Sequence, residues 1–216
     1  MGMLQILVFG DSIAWGAWDR KGGWAQRLKS FIDEMNIKKI EDPNFYRPVF
    51  NMGIPGNNTQ NLLKRFEFET KRRIYKNEKM IFILEIGAND SLYLQSKKGN
   101  WVRPSQFRKN VQKLIGLAHK YSSKIVFIGL LPVDDSRTVP LPWDTDKSCK
   151  NKYIREYNEI VRSVCKRNDV YFVDMFHRFM KRRYQPMLID GVHPNDEGHE
   201  MIFLAVKNFL IKKKMI

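Results

Sequence analysis

The stretch Leu4-Gln5-Ile6-Leu7-Val8-Phe9-Gly10-Asp11-Ser12 decides the fold. Met3 to Phe9 is apolar apart from Gln5 and stops at a Gly-Asp-Ser turn, far short of the ~20 residues that cross a bilayer. It also lacks the charged, apolar and small-residue order of a secretory signal. The segment therefore predicts a buried first β-strand that delivers a serine to its carboxyl end. No other apolar run is long enough to span a membrane, and on both grounds a cytoplasmic location is expected.

Further short apolar runs follow at Val49 to Asn51, Met80 to Ile86, Lys124 to Leu130 and Val170 to Val173, most of them ending near Gly, Asn, Asp or Pro. These predict four more strands. Between them, apolar residues recur at helical spacing: Trp24, Leu28, Phe31, Ile32 and Met35; Leu62, Leu63, Phe66 and Ile74; Phe107, Val111, Leu114 and Leu117. Tyr153 to Val164 and Met201 to Leu210 repeat the pattern. Strands alternating with helices from end to end imply an α/β protein with a five-stranded parallel sheet covered on both faces. With 43% hydrophobic and 28% charged residues the chain is too apolar for disorder, and residues 1–216 are expected to form one domain. Pro132 to Asp146, with three prolines and four aspartates, predicts a long loop, suited either to one wall of a site or to an irregular connection.

Ligands of open α/β sheets bind at the carboxyl ends of the strands. Gly10-Asp11-Ser12, Asn51-Met52-Gly53-Ile54-Pro55-Gly56 and Gly87-Ala88-Asn89-Asp90 each follow a predicted strand, and Asp190-Gly191-Val192-His193-Pro194 precedes the last helix. A serine is a poor nucleophile unless an imidazole takes its proton and a third group fixes the imidazole tautomer. Ser12, His193 and Asp190 supply those groups, and a three-residue spacing lets the Asp190 carboxylate reach His193 Nδ1. A developing oxyanion needs donors. The backbone N–H groups of Ser12 and Gly53, with the side-chain amide of Asn89, are the candidates. Asp11 is expected to orient the turn through backbone hydrogen bonds.

Taken together, the four motifs resemble those of the SGNH or GDSL hydrolases, whose blocks contribute a serine, a glycine, an asparagine and a histidine. Here these are Ser12, Gly53, Asn89 and His193. The resemblance covers essentially the whole chain. It implies a flavodoxin-like three-layer α/β/α sandwich, hydrolysis of small acyl esters or thioesters through an acyl-enzyme intermediate, and no metal or other cofactor. The first block has Ile13 where leucine is usual, followed by Ala14-Trp15. The Gly-x-Ser-x-Gly elbow of the α/β-hydrolases is absent from the sequence.

Trp15 and Trp18 crowd the segment after Ser12, and Trp143 sits in the long loop. All three are candidate substrate-binding aromatics, with packing as the alternative for Trp15 and Trp18. His199 with Asp190 and Asp196 matches no metal-ligand spacing and is expected on a helix surface or partly packed; His119 and His177 receive no role. Cys149 and Cys165 are expected as buried thiols. Thirty-eight Lys and Arg against 23 Asp and Glu leave +15, which raises a nucleic-acid-binding module as a second class of function. The basic runs Lys71-Arg72-Arg73, Lys181-Arg182-Arg183 and Lys212-Lys213-Lys214 come without a nucleic-acid-binding signature, so a small-molecule partner and no specific nucleic acid are expected. A carbohydrate O-deacetylase is the alternative within the enzyme class.

Overall fold

The structure, a computed structural model, describes residues 3–74 and 78–216. In chain order the elements are β1 (Leu4–Gly10), α1 (Ser12–Trp15), α2 (Gly23–Lys38), β2 (Val49–Gly53), α3 (Thr59–Lys71), β3 (Lys79–Glu85), β4 (Tyr93–Leu94), β5 (Gly99–Asn100), α4 (Pro104–His119), β6 (Lys124–Ile128), β7 (Lys147–Ser148), α5 (Asn151–Arg167), β8 (Tyr171–Val173), α6 (Met175–Met180) and α7 (Asp196–Lys212). The main sheet has five strands in the order β2-β1-β3-β6-β8. All its pairings are parallel.

Because successive strand side chains point to opposite faces, the buried strands feed two cores. Leu7, Phe9, Phe82 and Leu84 pack with Leu62 and Phe66 of α3, Phe107 and Val111 of α4, and Tyr157 of α5. Ile6, Val8, Ile81 and Ile83 pack instead with Trp24 and Leu28 of α2 and Ile202 and Val206 of α7. The result is the expected three-layer α/β/α sandwich. At the centre of the first core the rings of Phe9 and Phe66 lie 4.6 Å apart and those of Phe66 and Phe82 5.4 Å apart, each buried ring being worth about 1.5–3 kcal/mol.

Two features depart from the sequence-based expectation. The third helix ends at Lys71 rather than running on to Ile74, because the Arg73 N–H bonds to Thr70 O in a tight final turn and leaves Ile74 exposed. A small antiparallel sheet, β5-β4-β7, also forms beside the main one; its two-residue strands are too short to carry periodicity. The three basic runs begin at the carboxyl ends of α3, α6 and α7, where cations complement the helix dipole. Among the described residues no helix is long and apolar enough to cross a membrane.

Candidate active site

Ser12 stands at the carboxyl end of β1, as the first residue of α1. Asp11 caps that helix, its Oδ1 accepting the Ile13 N–H at 3.0 Å, and Gly16 closes it in a left-handed conformation. The short helix is tied to the second strand by Asn51, whose Nδ2 donates to Ala14 O at 2.9 Å. There the backbones come so close that a Cβ on Gly53 would lie 2.3 Å from the Trp15 nitrogen.

His193 approaches from the far end of the chain. The Asp190 Oδ1 accepts the Val192 and His193 N–H groups at 2.9 and 2.8 Å, curling the loop so that Oδ2 meets His193 Nδ1 at 2.7 Å. With its Nδ1 hydrogen on the carboxylate, the imidazole presents a bare Nε2 to the Ser12 hydroxyl at 2.8 Å. The loop is braced by the Asp134 N–H on Gly191 O at 2.8 Å and by Arg137 on Leu188 O at 3.1 Å. Burial pushes the Asp190 carboxyl up, but hydrogen bonds from the His193 ring and backbone outweigh it and hold the group well below the usual carboxylate range.

The donors around Ser12 differ from the expected set. The Gly53 N–H is taken by Asn51 Oδ1 at 3.0 Å, and Gly53 does not line the cleft. Gly56 does. Pro55 and Gly56 are the central residues of a turn closed by the Asn57 N–H on Ile54 O at 3.1 Å, with Gly56 at φ +77°. A Pro-Gly pair is the signature of such a type II turn, so a signal for Gly56 was present in the sequence. Among the described residues no acceptor takes the Gly56 N–H. One hydrogen of Asn89 Nδ2 bonds to Asn57 O at 2.9 Å, which anchors the amide and leaves its other hydrogen free. The next residue, Asp90, accepts the Thr59 N–H at 3.0 Å and joins the asparagine loop to the start of α3.

The cleft over Ser12 and His193 has a volume of about 240 Å³ and is walled by Ala88, Leu92, Trp101, Leu141, Trp143 and Val192, with Lys147 at its side. Trp143 lies 6.2 Å from the His193 ring, so the long loop does form a wall. It is held in place by the Leu141 N–H on Lys147 O at 2.8 Å and by the buried Thr138 hydroxyl on Cys149 O at 2.7 Å. Trp101 was not singled out from the sequence, because an aromatic after a Gly-Asn pair lacks any periodic partner. Lys147 Nζ sits 4.6 Å above its ring. Trp15 and Trp18 are not among the cleft residues. The Trp18 indole instead donates to Asp190 Oδ2 at 2.8 Å.

Several buried ionisable groups lie behind the site. Burial raises Asp11 to about 6 and Asp90 to about 7, and it raises Glu85, at the end of β3, well above its ordinary value. His199 is fully buried rather than on a helix surface. Its Nδ1 accepts the Trp24 N–H at 3.2 Å and its Nε2–H donates to Ala17 O at 3.0 Å. It thus locks α7 to the segment before α2, and burial lowers its pKa in favour of that neutral form. Cys149 and Cys165 are buried thiols, each pushed by burial to about 12.

A parallel α/β/α sheet with a serine, an imidazole and a carboxylate in line at its carboxyl edge has the architecture of an esterase or acylhydrolase. The chain matches the GDSL-like Lipase/Acylhydrolase family over residues 8–201, and it belongs to that family. Its fold is similar to the lipase/acylhydrolase of Enterococcus faecalis (TM-score 0.73, 20% identity, covering 99% of this chain and 97% of that one). It is also similar to Axe2, an acetylxylan esterase of Geobacillus stearothermophilus (TM-score 0.68, 19% identity, 95% and 92% covered). In sequence it is 28% identical over 230 residues to the uncharacterized lipoprotein YqeF of Bacillus subtilis (strain 168), covering 96% of this chain and 89% of that protein. That name lends no support to the cytoplasmic location expected from the sequence.

Proposed function

We propose that the protein hydrolyses small acyl esters or thioesters with Ser12 as nucleophile, His193 as general base and acid, and Asp190 as the group that orients and stabilises the imidazolium. The observation that carries this reading is the continuous line from Ser12 Oγ to His193 Nε2 at 2.8 Å and from His193 Nδ1 to Asp190 Oδ2 at 2.7 Å. As Ser12 Oγ attacks the carbonyl carbon, its proton passes to His193 Nε2. The negative charge moves to the carbonyl oxygen, where the Ser12 N–H, the Gly56 N–H and the free Asn89 hydrogen are the donors in reach. Gly56 rather than Gly53 takes this role in the proposal because Gly56 lines the cleft and no acceptor among the described residues takes its N–H. His193 then returns the proton to the departing alcohol or thiol. Water enters, gives a proton to His193 and attacks the acyl-enzyme, and Ser12 regains its hydrogen as the acid leaves.

A cleft of about 240 Å³ is smaller than ordinary ligand pockets, which span roughly 300–1,000 Å³. That favours a short acyl group. Trp101 and Trp143 flanking the cleft support a sugar O-acetyl ester as one such substrate, in keeping with the fold shared with an acetylxylan esterase. The test is a panel of p-nitrophenyl esters from acetyl to palmitoyl beside acyl-thioesters and acetylated xylo-oligosaccharides. A steep preference for acetyl is expected, with Ser12→Ala as the blank and fluorophosphonate labelling confined to Ser12. A Ser12→Ala protein with full turnover overturns the assignment.

A further inference from the structure

At the edge of the sheet opposite Ser12 lies a second cavity, of about 350 Å³. It opens where β1, β3 and β6 begin, at Leu4, Lys79 and Lys124, and is closed by the loop from Asp42 to Arg47 and by Lys214 and Met215 after α7. The length of β1 separates it from Ser12, about 20 Å at ~3.3 Å per residue. It is therefore outside the cleft described above.

The walls are firmly built. The Leu4 N–H donates to Tyr46 O at 3.2 Å, and the Lys79 N–H to Met3 O at 3.1 Å. Asn36 clamps Arg47 from both sides, accepting its N–H at 3.0 Å and donating to its carbonyl at 3.2 Å. The Arg47 guanidinium carbon lies 4.2 Å from the centre of the Phe45 ring. Lys214 adopts a left-handed φ of +52°, turning the chain so that Met215 is buried.

The charge is one-sided. Arg47, Lys79, Lys124 and Lys214 line the cavity together with one acidic residue, Asp42. Asp42 also spends an oxygen on the Asn44 N–H, at 2.9 Å. Among the described residues none of the four cations has a carboxylate partner within 4.0 Å, although Arg20, Arg27, Lys29 and Lys147 elsewhere do. Like charges gathered in a concave, partly apolar site repel one another and concentrate counter-anions. A guanidinium offers the paired donors that a phosphate accepts.

We infer that this cavity is a binding site for a phosphate ester, its charged group held by Arg47, Lys79 and Lys124 and its organic part lying against Tyr46 and Leu4. Two sources share that chemistry, a soluble organic phosphate and the headgroup of an anionic phospholipid.

The experiment measures two kinds of binding at physiological ionic strength: sn-glycerol 3-phosphate by calorimetry, and co-flotation with phosphatidylglycerol–phosphatidylcholine vesicles against pure phosphatidylcholine. Binding in the first arm identifies a soluble ligand, and flotation only with the anionic vesicles identifies a headgroup. In whichever arm binds, Lys79→Glu/Lys124→Glu is expected to weaken affinity at least about tenfold, as loss of charge-assisted hydrogen bonds requires. Lys181→Glu/Arg182→Glu changes net charge equally and is expected to stay within about twofold. Both variants should keep esterase activity, which reports an intact fold. Should the first variant misfold, Lys79→Gln/Lys124→Gln replaces it, with Lys181→Gln/Arg182→Gln as the control of equal net charge. No binding in either arm, or equal weakening by both double variants, overturns the inference, the latter because net charge alone would then explain the binding.

Discussion

The Trp18 indole N–H and the His193 Nδ1–H converge on the same oxygen, Asp190 Oδ2, at 2.8 and 2.7 Å. Trp18 is 60% exposed and holds a left-handed φ of +66°, a conformation that an aromatic residue adopts only when its surroundings impose it. Those surroundings are visible. Asp19 accepts the Lys21 and Gly23 N–H groups at 3.1 and 2.9 Å and pairs with Arg27 at 2.8 Å, while Arg20 pairs with Asp196 at 2.6 Å. The indole stands edge-on to the imidazole, with ring centroids 6.4 Å apart. Trp18 is thus placed to position the carboxylate and disperse its charge.

Trp18→Phe keeps the ring and removes the donor. Without that donor the carboxylate is held in place less firmly against His193 Nδ1, and the imidazole is less well oriented toward Ser12. The rate should fall about tenfold, the value of one hydrogen bond to a charged group at an exposed site. Steady-state kinetics check this, with a thermal melt like that of the parent protein to show an intact fold. An unchanged rate would leave Trp18 as surface packing.

On the proposed mechanism Asn89→Ala removes a donor to the charge that forms only during reaction, so kcat should fall about 10²- to 10³-fold with little change in KM. The same variant also loses the bond to Asn57 O, and a thermal melt close to that of the parent protein would exclude unfolding as the cause. A KM effect of the same size as the kcat effect would point to ground-state binding instead.

The two glycines should respond differently to alanine. At Gly53 a Cβ would lie 2.3 Å from the Trp15 backbone nitrogen, and backbone on both sides cannot yield cheaply. Gly53→Ala is expected to lower Tm by several degrees and to displace α1 with Ser12. At Gly56 nothing lies within 4 Å, and only the positive φ is strained, a cost of about 1 kcal/mol. Differential scanning calorimetry of the two variants separates these cases, and equal losses would contradict the geometry.

Glu85 is buried with both carboxylate oxygens unpartnered among the described residues, close to the buried Asp11. Burial raises its pKa above the ordinary 4.5, so the unfolded chain releases this proton at lower pH than the folded one does. Its contribution to stability is therefore full below about 4.5 and is lost as pH rises through the folded value. Glu85→Gln, which cannot ionise, should flatten the fall in Tm between pH 5 and 9 and leave the variant the more stable at the alkaline end. A Tm difference independent of pH would show that the carboxyl does not titrate there.

Much of this molecule was legible in local pattern. Apolar runs such as Leu4 to Phe9 and Met80 to Ile86 read as strands because they are short, rich in Ile, Val and Phe, and stop at a glycine-led turn. The turns that follow them had to meet at one sheet edge once the strands ran parallel. Where pattern is too short, as in the two-residue strands of the small sheet, or where a helix ends by a local turn short of Ile74, the sequence alone was a poor guide.

By itself, then, the sequence determined the layered sheet and the company of Ser12, Asn89, Asp190 and His193, through periodicity and turn chemistry that act over a few residues. Tertiary structure alone decided which amide protons are left over and where the tryptophans point. Pro55 marks Gly56 as a turn residue, but only the fold shows that Asn51 consumes the Gly53 N–H while no acceptor among the described residues takes that of Gly56. Trp18 reaches Asp190 across 172 positions of chain. Such choices depend on competition among partners that only the folded chain brings within reach, and a hydrogen can be given away once.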